Sequence, residues 1–276
     1  MILKELLECG QEKLKMAGIQ DAELDAWYLL EHVTGVSRSM YFLDRNLSVS
    51  QDNEKCYLEL IEKRSRRIPL QHITGVQEFM GLEFKVNEHV LIPRQDTEIL
   101  VEEVLKELKP GMKVLDMCTG SGCILISLLK LTKDACGIGI DISKEALAVA
   151  KKNAETLKVE ANFRESDLFY SVEETFDIIV SNPPYIRTAV IQELEEEVKL
   201  HDPMLALDGK EDGLYFYRKI VDDARNHLNQ GGRLYFEIGH DQGNDVSELM
   251  RDAGFQGVTV KKDLAGLDRV VFGVYI

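Results

Sequence analysis

The spacing of apolar residues divides the chain into three regions. Over residues 1–70, apolar side chains recur every three or four positions, which predicts a small helical domain whose last helix spans about 51–67. Over residues 71–92 the pattern alternates, and Gly81 is placed to turn a β-hairpin that links two domains. Over residues 93–276, apolar runs alternate with helical patterns, which is typical of an α/β fold with a doubly wound parallel sheet.

The region from residue 93 is predicted to hold a seven-stranded sheet. Asp96 or Thr97 is expected to cap its first helix. Of the last two strands, one should be antiparallel to the rest. The candidate strands cover residues 113–117, 137–141, 161–164, 176–181, 233–238, 257–261 and 269–275, and further helical patterns cover 123–131, 144–157 and 214–229.

A glycine loop follows the first of these strands, which ends at Asp116. The loop, Thr119-Gly120-Ser121-Gly122-Cys123, runs into a helix at the position where open α/β sheets bind ligands. It lacks the third glycine of a dinucleotide fingerprint, because residue 125 is leucine. Asp141, at the end of the second strand, is placed to accept hydrogen bonds from ribose hydroxyls. Because Asp116 beside the loop suits a cation better than a pyrophosphate, S-adenosylmethionine is the expected ligand.

The third strand adds a further acidic position at the same edge of the sheet. Asp167 offers a carboxylate for an adenine amino group, and Leu168 offers an apolar surface for its ring. Each carboxylate taken alone is also explained as a helix cap, since Asp is common at helix N-termini. The prediction of a cofactor site therefore depends on three successive strand ends carrying carboxylates.

The fourth strand leads into Ser181-Asn182-Pro183-Pro184-Tyr185. Each proline fixes its own φ and holds the preceding residue extended, so the Asn182 oxygen and the Pro183 carbonyl can accept hydrogen bonds at one position. Two such acceptors would draw a planar NH2 nitrogen toward tetrahedral geometry and direct its lone pair at a methyl group, with Tyr185 against the planar group. An ordinary strand-ending turn is the alternative.

Charge and composition restrict the classes of partner. The net charge of −15 disfavours stable binding to nucleic acid and favours a basic protein partner. The five cysteines are irregularly spaced and are expected to be free thiols, with no metal site. No apolar run is long enough for a membrane helix and the N-terminus lacks a signal-peptide pattern, so we expect a cytoplasmic protein, as a monomer.

Two clusters of charge have an ordinary and a functional interpretation. The basic residues of the segment 63–67 are interpreted as a solvated helix end rather than a binding surface. The acidic run 192–198 is interpreted by default as a solvated helix face, and alternatively as an entrance that attracts a basic protein.

Several motifs together resemble one protein family. Asn182-Pro183-Pro184-Tyr185 and the glycine loop resemble class I methyltransferases that act on planar NH2 groups. The remaining segments and their order are similar to the release factor glutamine methyltransferases, the PrmC/HemK family, from about residue 20 to the end. These segments are Gln71-His72-Ile73-Thr74-Gly75, Ile92-Pro93-Arg94-Gln95-Asp96-Thr97-Glu98, Asp202-Pro203 with the residues to Gly213, and Lys262-Asp263-Leu264-Ala265-Gly266.

The resemblance implies a Rossmann-like class I fold and an S-adenosylmethionine-dependent enzyme. Its substrate would be the glutamine of the Gly-Gly-Gln motif in class 1 peptide chain release factors, which the helical domain would help to hold. The cofactor would contact Thr119–Cys123, Asp141, Leu168 and Asn182, with Arg94 a further candidate, and Asn182–Tyr185 would contact the glutamine. The sequence departs from the family pattern at Gln95, Leu168, His201 and Leu267.

Three other functions are weighed against this one. A DNA adenine or ribosomal RNA guanine methyltransferase shares the Asn-Pro-Pro-Tyr motif but should carry a basic face and a target-recognition segment, and neither is visible. A nicotinamide-dependent oxidoreductase needs the absent third glycine. A catalytically silent binding module is disfavoured by the intact glycine loop, Asp141 and Asn182.

Overall fold

A computed structural model describes residues 1–276, which form two compact units. The first comprises Met1–Val76 together with Glu195–His201, and the second comprises Gln77–Leu194 together with Asp202–Ile276. No helix has the length and apolar character needed to cross a membrane. All five cysteines are free thiols, and no three His, Cys, Asp or Glu side chains are grouped to hold a metal ion.

The elements follow one another in the order that the apolar pattern indicates. The helices are α1 (Leu3–Met16), α2 (Ala22–Thr34), α3 (Arg38–Leu43), α4 (Gln51–Ser65), α5 (Leu70–Thr74), α6 (Gln95–Leu105), α7 (Cys123–Leu131), α8 (Lys144–Leu157), α9 (Glu196–His201), α10 (Met204–Leu207), α11 (Tyr215–His227) and α12 (Gly243–Asp252). The strands are β1 (Val76–Phe79), β2 (Leu82–Lys85), β3 (Lys113–Met117), β4 (Cys136–Asp141), β5 (Asn162–Glu165), β6 (Phe176–Ser181), β7 (Leu228–Glu237), β8 (Gln256–Lys262) and β9 (Asp268–Val274).

The helical unit is built around one apolar core. Leu6 and Leu14 of α1, Leu29 of α2, and Tyr57 and Ile61 of α4 are each fully buried in it. These side chains lie on the apolar faces that the three-to-four-residue spacing predicts. The short helices α3 and α5 were not predicted, because their few apolar positions give too little periodicity to distinguish them from loops.

Charge pairing within this unit corrects part of the interpretation of the two charge clusters. Arg64 is buried, and its Nε donates to Asp25 at 2.6 Å while its Nη2 donates to Glu197 at 2.8 Å. Arg67 pairs with Glu196 at 2.7 Å. Arg64 is therefore a buried ion-pair residue rather than part of a solvated helix end, whereas Lys63, Arg66 and Glu196 are exposed, as the interpretation of solvated faces predicts.

The second unit begins with the hairpin of β1 and β2. Met80 and Gly81 join the strands with φ of 52° and 70°, as a two-residue turn of this kind requires, so Gly81 lies at the turn as expected. The hairpin is shorter than the predicted segment 71–92, because residues 70–74 form α5. The helix predicted to follow an Asp96 or Thr97 cap begins earlier, at Gln95, with Arg94 in the capping position and no side-chain cap.

The seven remaining strands form one sheet in the order β5-β4-β3-β6-β7-β9-β8. Strands β3 to β7 are parallel to one another, and β9 runs antiparallel to both β7 and β8, as predicted for one of the last pair. Along β6, Ile178 and Val180 pack into one core and Ile179 packs into the core on the opposite face. Helices α6 and α7 cover the first face, and α11 and α12 cover the second.

The strand order indicates that a ligand would bind at the carboxyl end of β3. Its neighbours β4 and β6 are reached by connections that run in opposite directions along the sheet, which opens a crevice at the carboxyl ends of these strands. Helix α12 was not predicted, although Val246 and Met250 are buried at a spacing of four that could have indicated it.

Candidate active site

A cavity of ≈ 320 Å³ opens at the carboxyl ends of β3, β4 and β6. Its volume lies within the range of small-molecule sites. All of its lining residues belong to the second unit. Those predicted from the sequence to bind a ligand or substrate are Arg94, Thr119, Gly120, Ser121, Cys123, Asp141, Asp167, Leu168, Asn182 and Pro184.

The glycine loop between β3 and α7 forms one wall of this cavity. Gly122 has φ of 79° and packs closely, because an added Cβ would lie 2.9 Å from the Ile126 side chain. Cys118 also adopts a positive φ, 61°, which is uncommon for a residue with a side chain and is concentrated at functional sites. Gly139 of β4 leaves room for the loop, since a Cβ there would lie 2.8 Å from Thr119 Oγ1.

Asp116 lies beneath the loop and does not line the cavity. Its side chain is fully buried, and Oδ2 accepts hydrogen bonds from Thr119 Oγ1 at 2.5 Å and from the Leu125 amide at 3.2 Å. Burial raises the pKa of this carboxyl to about 7. The expectation of a direct contact between Asp116 and a cationic ligand is therefore replaced by a structural role, because its bonds hold the loop and the start of α7.

Asp141 lines the cavity at the end of β4. Its two oxygens accept hydrogen bonds from the amides of Gly120 and Ser143, each at 2.9 Å. Burial is the main reason that its pKa is raised. Because each carboxylate oxygen can accept a second bond, Asp141 can still meet hydroxyl groups of a ligand while it fixes the loop.

Asp167 and Leu168 lie on the wall at the end of β5. Asp167 is exposed, and Leu168 has φ of 48°, a strained conformation for a leucine. The Ser166 hydroxyl donates to the Leu168 carbonyl at 2.6 Å and stabilises this turn. The turn directs both residues to the cavity.

The Asn-Pro-Pro-Tyr segment lies between the cavity and the end of β7. Asn182 and Pro184 line the cavity, whereas Pro183 and Tyr185 do not. Asn182 Nδ2 donates to Thr97 Oγ1 at 3.5 Å. The Tyr185 hydroxyl lies 3.5 Å from Glu237 Oε1, so the ring lies behind the loop. Tyr185 was predicted to lie against the planar substrate group, but it does not line the cavity.

The backbone of Tyr185 is supported by the segment after α10. A Cβ on Gly209 would lie 2.7 Å from Tyr185 Cα, and one on Gly213 would lie 2.5 Å from the Tyr185 carbonyl oxygen. The buried Gln242 donates from Nε2 to the same carbonyl at 3.0 Å. Glycine is needed at both positions because the backbone of the segment 209–213 lies directly against the backbone of Tyr185.

Arg94 lies at the edge of the cavity and forms an ion pair. Its Nη2 lies 2.7 Å from Asp202 Oδ2, while the Asp202 side chain is almost fully buried and that of Arg94 remains 45% exposed. The pair connects the start of α6 with the segment before α10. It leaves part of the guanidinium available to a ligand.

Sequence reasoning missed Glu237 and Gln242 and assigned Thr97 only to a helix cap. Glu237 ends β7, so the acidic-strand-end pattern that identified Asp141 could also have identified it. No local pattern distinguishes Gln242. Its role depends on contacts with residues 29 and 57 positions away.

Comparisons with known proteins agree with this arrangement. A family model described as the PrmC N-terminal domain matches residues 5–75, and the methyltransferase small domain matches residues 94–201. A release factor glutamine methyltransferase from Clostridium acetobutylicum is 41% identical over 281 residues, with 99% of each chain covered.

Two solved structures are similar in fold. A methyltransferase from Pyrococcus furiosus has a TM-score of 0.57 at 19% identity and covers 78% of this chain and 100% of its own. The 16S rRNA N2 G1207 methyltransferase of T. thermophilus, in complex with AdoMet and guanosine, has a TM-score of 0.51 at 18% identity and covers 73% of this chain and 50% of its own. At these identities the likeness shows the fold alone.

The relative from Clostridium acetobutylicum matches nearly the whole length of both chains, across the helical unit and the sheet. The chain therefore belongs to the release factor glutamine methyltransferase family.

Proposed function

We propose that this chain transfers a methyl group from S-adenosylmethionine to the side-chain amide nitrogen (N5) of the glutamine in the Gly-Gly-Gln motif of class 1 peptide chain release factors. The observation that carries the proposal is that Asn182 and the glycine-loop residues Thr119 and Gly120 line the same cavity. Methyl transfer to nitrogen requires a methyl donor and an NH2 group to be held against each other. Membership of the family supports the same reaction.

The residues of the cavity fit S-adenosylmethionine. The carboxylate of Asp141 has lone pairs available for ribose hydroxyls, and Asp167 can accept from an adenine amino group. Ile140 and Leu168 add apolar surface for a ring. When bound, this cofactor supplies a methyl group activated by its sulfonium sulfur.

Arg94 is proposed to complete the cofactor site. Nearly half of its side chain is exposed at the cavity edge while one nitrogen is held by Asp202. A guanidinium has five N–H donors, so the remaining donors can bind the carboxylate of the cofactor's amino acid end.

The protein's part in the reaction is to orient the glutamine amide. Its nitrogen is a poor nucleophile because the lone pair is delocalised into the carbonyl group. Hydrogen bonds from the NH2 group to the Asn182 Oδ1 and the Pro183 carbonyl would favour a pyramidal nitrogen with its lone pair toward the methyl group. Pro184, which lines the cavity, is proposed to contact the substrate, and Tyr185, whose hydroxyl contacts Glu237, is proposed to hold the loop from behind.

The same proposal defines the partners. A release factor is the protein substrate, and acting on translation factors would place the enzyme in the cytoplasm. We expect it to act there as a monomer. A nucleic-acid substrate is the alternative, and the net charge of −15 argues against it.

A methyl-transfer assay with labelled S-adenosylmethionine tests the proposal. Four acceptors are compared: a class 1 release factor, the same factor with its Gly-Gly-Gln glutamine replaced, DNA and ribosomal RNA. We expect label on the intact factor alone, and label on either nucleic acid instead would contradict the proposal.

Asn182→Ala is expected to lower kcat by ~10²–10³, the loss typical for one preorganised polar group, while cofactor binding is retained. Asn162→Ala, at an exposed asparagine of β5, serves as the matched control and should keep wild-type kcat. An Asn182→Ala variant with more than about a third of the wild-type rate would contradict the role of Asn182.

A further inference from the structure

We propose that Glu237 is a positioning residue for methyl transfer, whose ionised carboxylate fixes the direction of the Asn182 amide and the Tyr185 hydroxyl. This inference rests on the proposed function, because it assigns how the amide-binding loop is held. No motif in the sequence drew attention to Glu237.

Strand register places Glu237 beside the loop. Phe236 of β7 pairs with Ser181 of β6, so the next residues on the two parallel strands, Glu237 and Asn182, lie side by side, Glu237 at the last position of β7 and Asn182 just beyond the end of β6. Glu237 is only 2% exposed and does not line the cavity. It can therefore act on the substrate only through the residues that it contacts.

The side chains next to the carboxylate carry hydrogen-bond donors. The Tyr185 hydroxyl lies 3.5 Å from Oε1. Oε2 is buried without a hydrogen-bond partner, and the side chains of Thr97 and Asn182 each lower the pKa of the carboxyl. Hydrogen bonds at a catalytic site are often long without substrate and shorten in the complex.

The donors and acceptors of these side chains then set the direction of the Asn182 amide. Thr97 Oγ1 accepts from Asn182 Nδ2 at 3.5 Å, which leaves the Thr97 proton available to donate toward Glu237. An ionised carboxylate only accepts hydrogen bonds, so the amide edge on the Thr97 and Glu237 side must be the NH2 edge. The Asn182 oxygen is thereby turned to the cavity, where a substrate NH2 group needs an acceptor.

A protonated Glu237 would not give this arrangement, because it would itself carry a donor. Burial raises its pKa to about 7, and Arg269 opposes this rise. The ionised, orienting form therefore increases as the pH rises through about 7, and kcat should rise with it. The titratable and charged groups that interact electrostatically with the carboxyl are Arg269 of β9, Asp96 of α6, Cys123 of α7, Tyr217 of α11 and Tyr185.

Glu237→Gln is the direct test, with kcat, KM for the release factor and cofactor Kd measured from pH 6 to pH 9. Gln has one acceptor oxygen for several donors, so we expect kcat to fall about 10- to 100-fold with KM and Kd changed less than about threefold. The rise of kcat near pH 7 should be absent. Glu237→Asp, which keeps an acceptor-only group, should recover part of kcat and the pH dependence.

Glu103→Gln provides the matched control. Glu103 is a buried glutamate of α6 that pairs with Lys106 and Lys261 and does not line the cavity. This variant should keep wild-type kcat and its pH dependence.

The outcomes separate this inference from the proposed function. If the wild type methylates the release factor and Glu237→Gln keeps wild-type kcat and pH dependence, the inference alone is wrong. If the wild type does not methylate the factor, the proposed function fails and the inference fails with it. Should Glu237→Gln not fold, Thr97→Val replaces it, since it removes the hydroxyl between the two groups; an unchanged kcat there would overturn the inference.

Discussion

Replacing Gly213 by alanine tests whether the backbone of Tyr185 must be held in one place for methyl transfer. Gly213 has φ of 77°, and its new Cβ would lie 2.5 Å from the Tyr185 carbonyl oxygen and 2.7 Å from Gln242 Nε2. Ordinary contact begins at 3.4 Å, so the carbonyl must move by about 0.9 Å, the difference between 3.4 and 2.5 Å. The hydrogen bond from Gln242 to this carbonyl would be disturbed as well.

The magnitude follows from two separate costs. Left-handed backbone costs an alanine ~1–2 kcal/mol, and overpacking costs a further ~1–3 kcal/mol. Tyr185 follows Asn182 by three positions in a stiff segment, so the shift is transmitted to the amide-binding loop. A misplacement of ~1 Å can lower the rate by ~100-fold. We expect kcat to fall by about this factor while cofactor binding changes little.

Gly254→Ala separates strain from displacement. Gly254 has φ of 92°, and no atom lies within 4 Å of an added Cβ. Both variants should unfold at lower temperature than the wild type, but only Gly213→Ala should lose kcat in the labelled-methyl assay. A Gly213→Ala enzyme within threefold of wild-type kcat, or an equal loss in Gly254→Ala, would refute the reasoning.

Three further predictions concern the cofactor loop and the helical unit. Gly139→Ala, with its Cβ 2.8 Å from Thr119 Oγ1, should weaken cofactor binding about 10- to 100-fold by calorimetry, and an unchanged Kd would show that the loop tolerates the clash. Burial raises the pKa of Asp116 to about 7, so the folded state keeps a proton that the unfolded state loses near pH 4, and the free energy of unfolding should fall as the pH rises from about 4 to about 7. In urea titrations Asp116→Asn should show a smaller fall than the wild type, since the raised pKa of Glu237 contributes a fall of its own, and an unchanged fall would contradict the role of Asp116. Arg64→Met leaves Asp25 buried without its cation and should cost about 3–5 kcal/mol of unfolding free energy, so an unchanged urea midpoint would contradict the role of this ion pair.

Local patterns in the sequence were sufficient for the long helices of the first unit, for the sheet strands and for much of the cofactor wall, but not for α3, α5 and α12. Apolar runs such as that of β6 and the helical spacing of α8 reflect burial of one strand or one helix face, which neighbouring residues alone encode. The glycine loop and Asp141 could be predicted because their positions follow from a single strand-loop-helix connection.

The order of the strands and the long-range contacts decided the rest. Sequence pattern could not show that Asp116 lies under the loop, because its burial depends on α7 packing over β3. Nor could it show that Glu237 adjoins Asn182, since β6 and β7 become neighbours only in the folded sheet. The sequence by itself determined which residues form strands, helices and the stiff Asn-Pro-Pro-Tyr loop. Tertiary structure alone decided which buried groups support that loop, because hydrogen bonding between distant residues leaves no local periodicity.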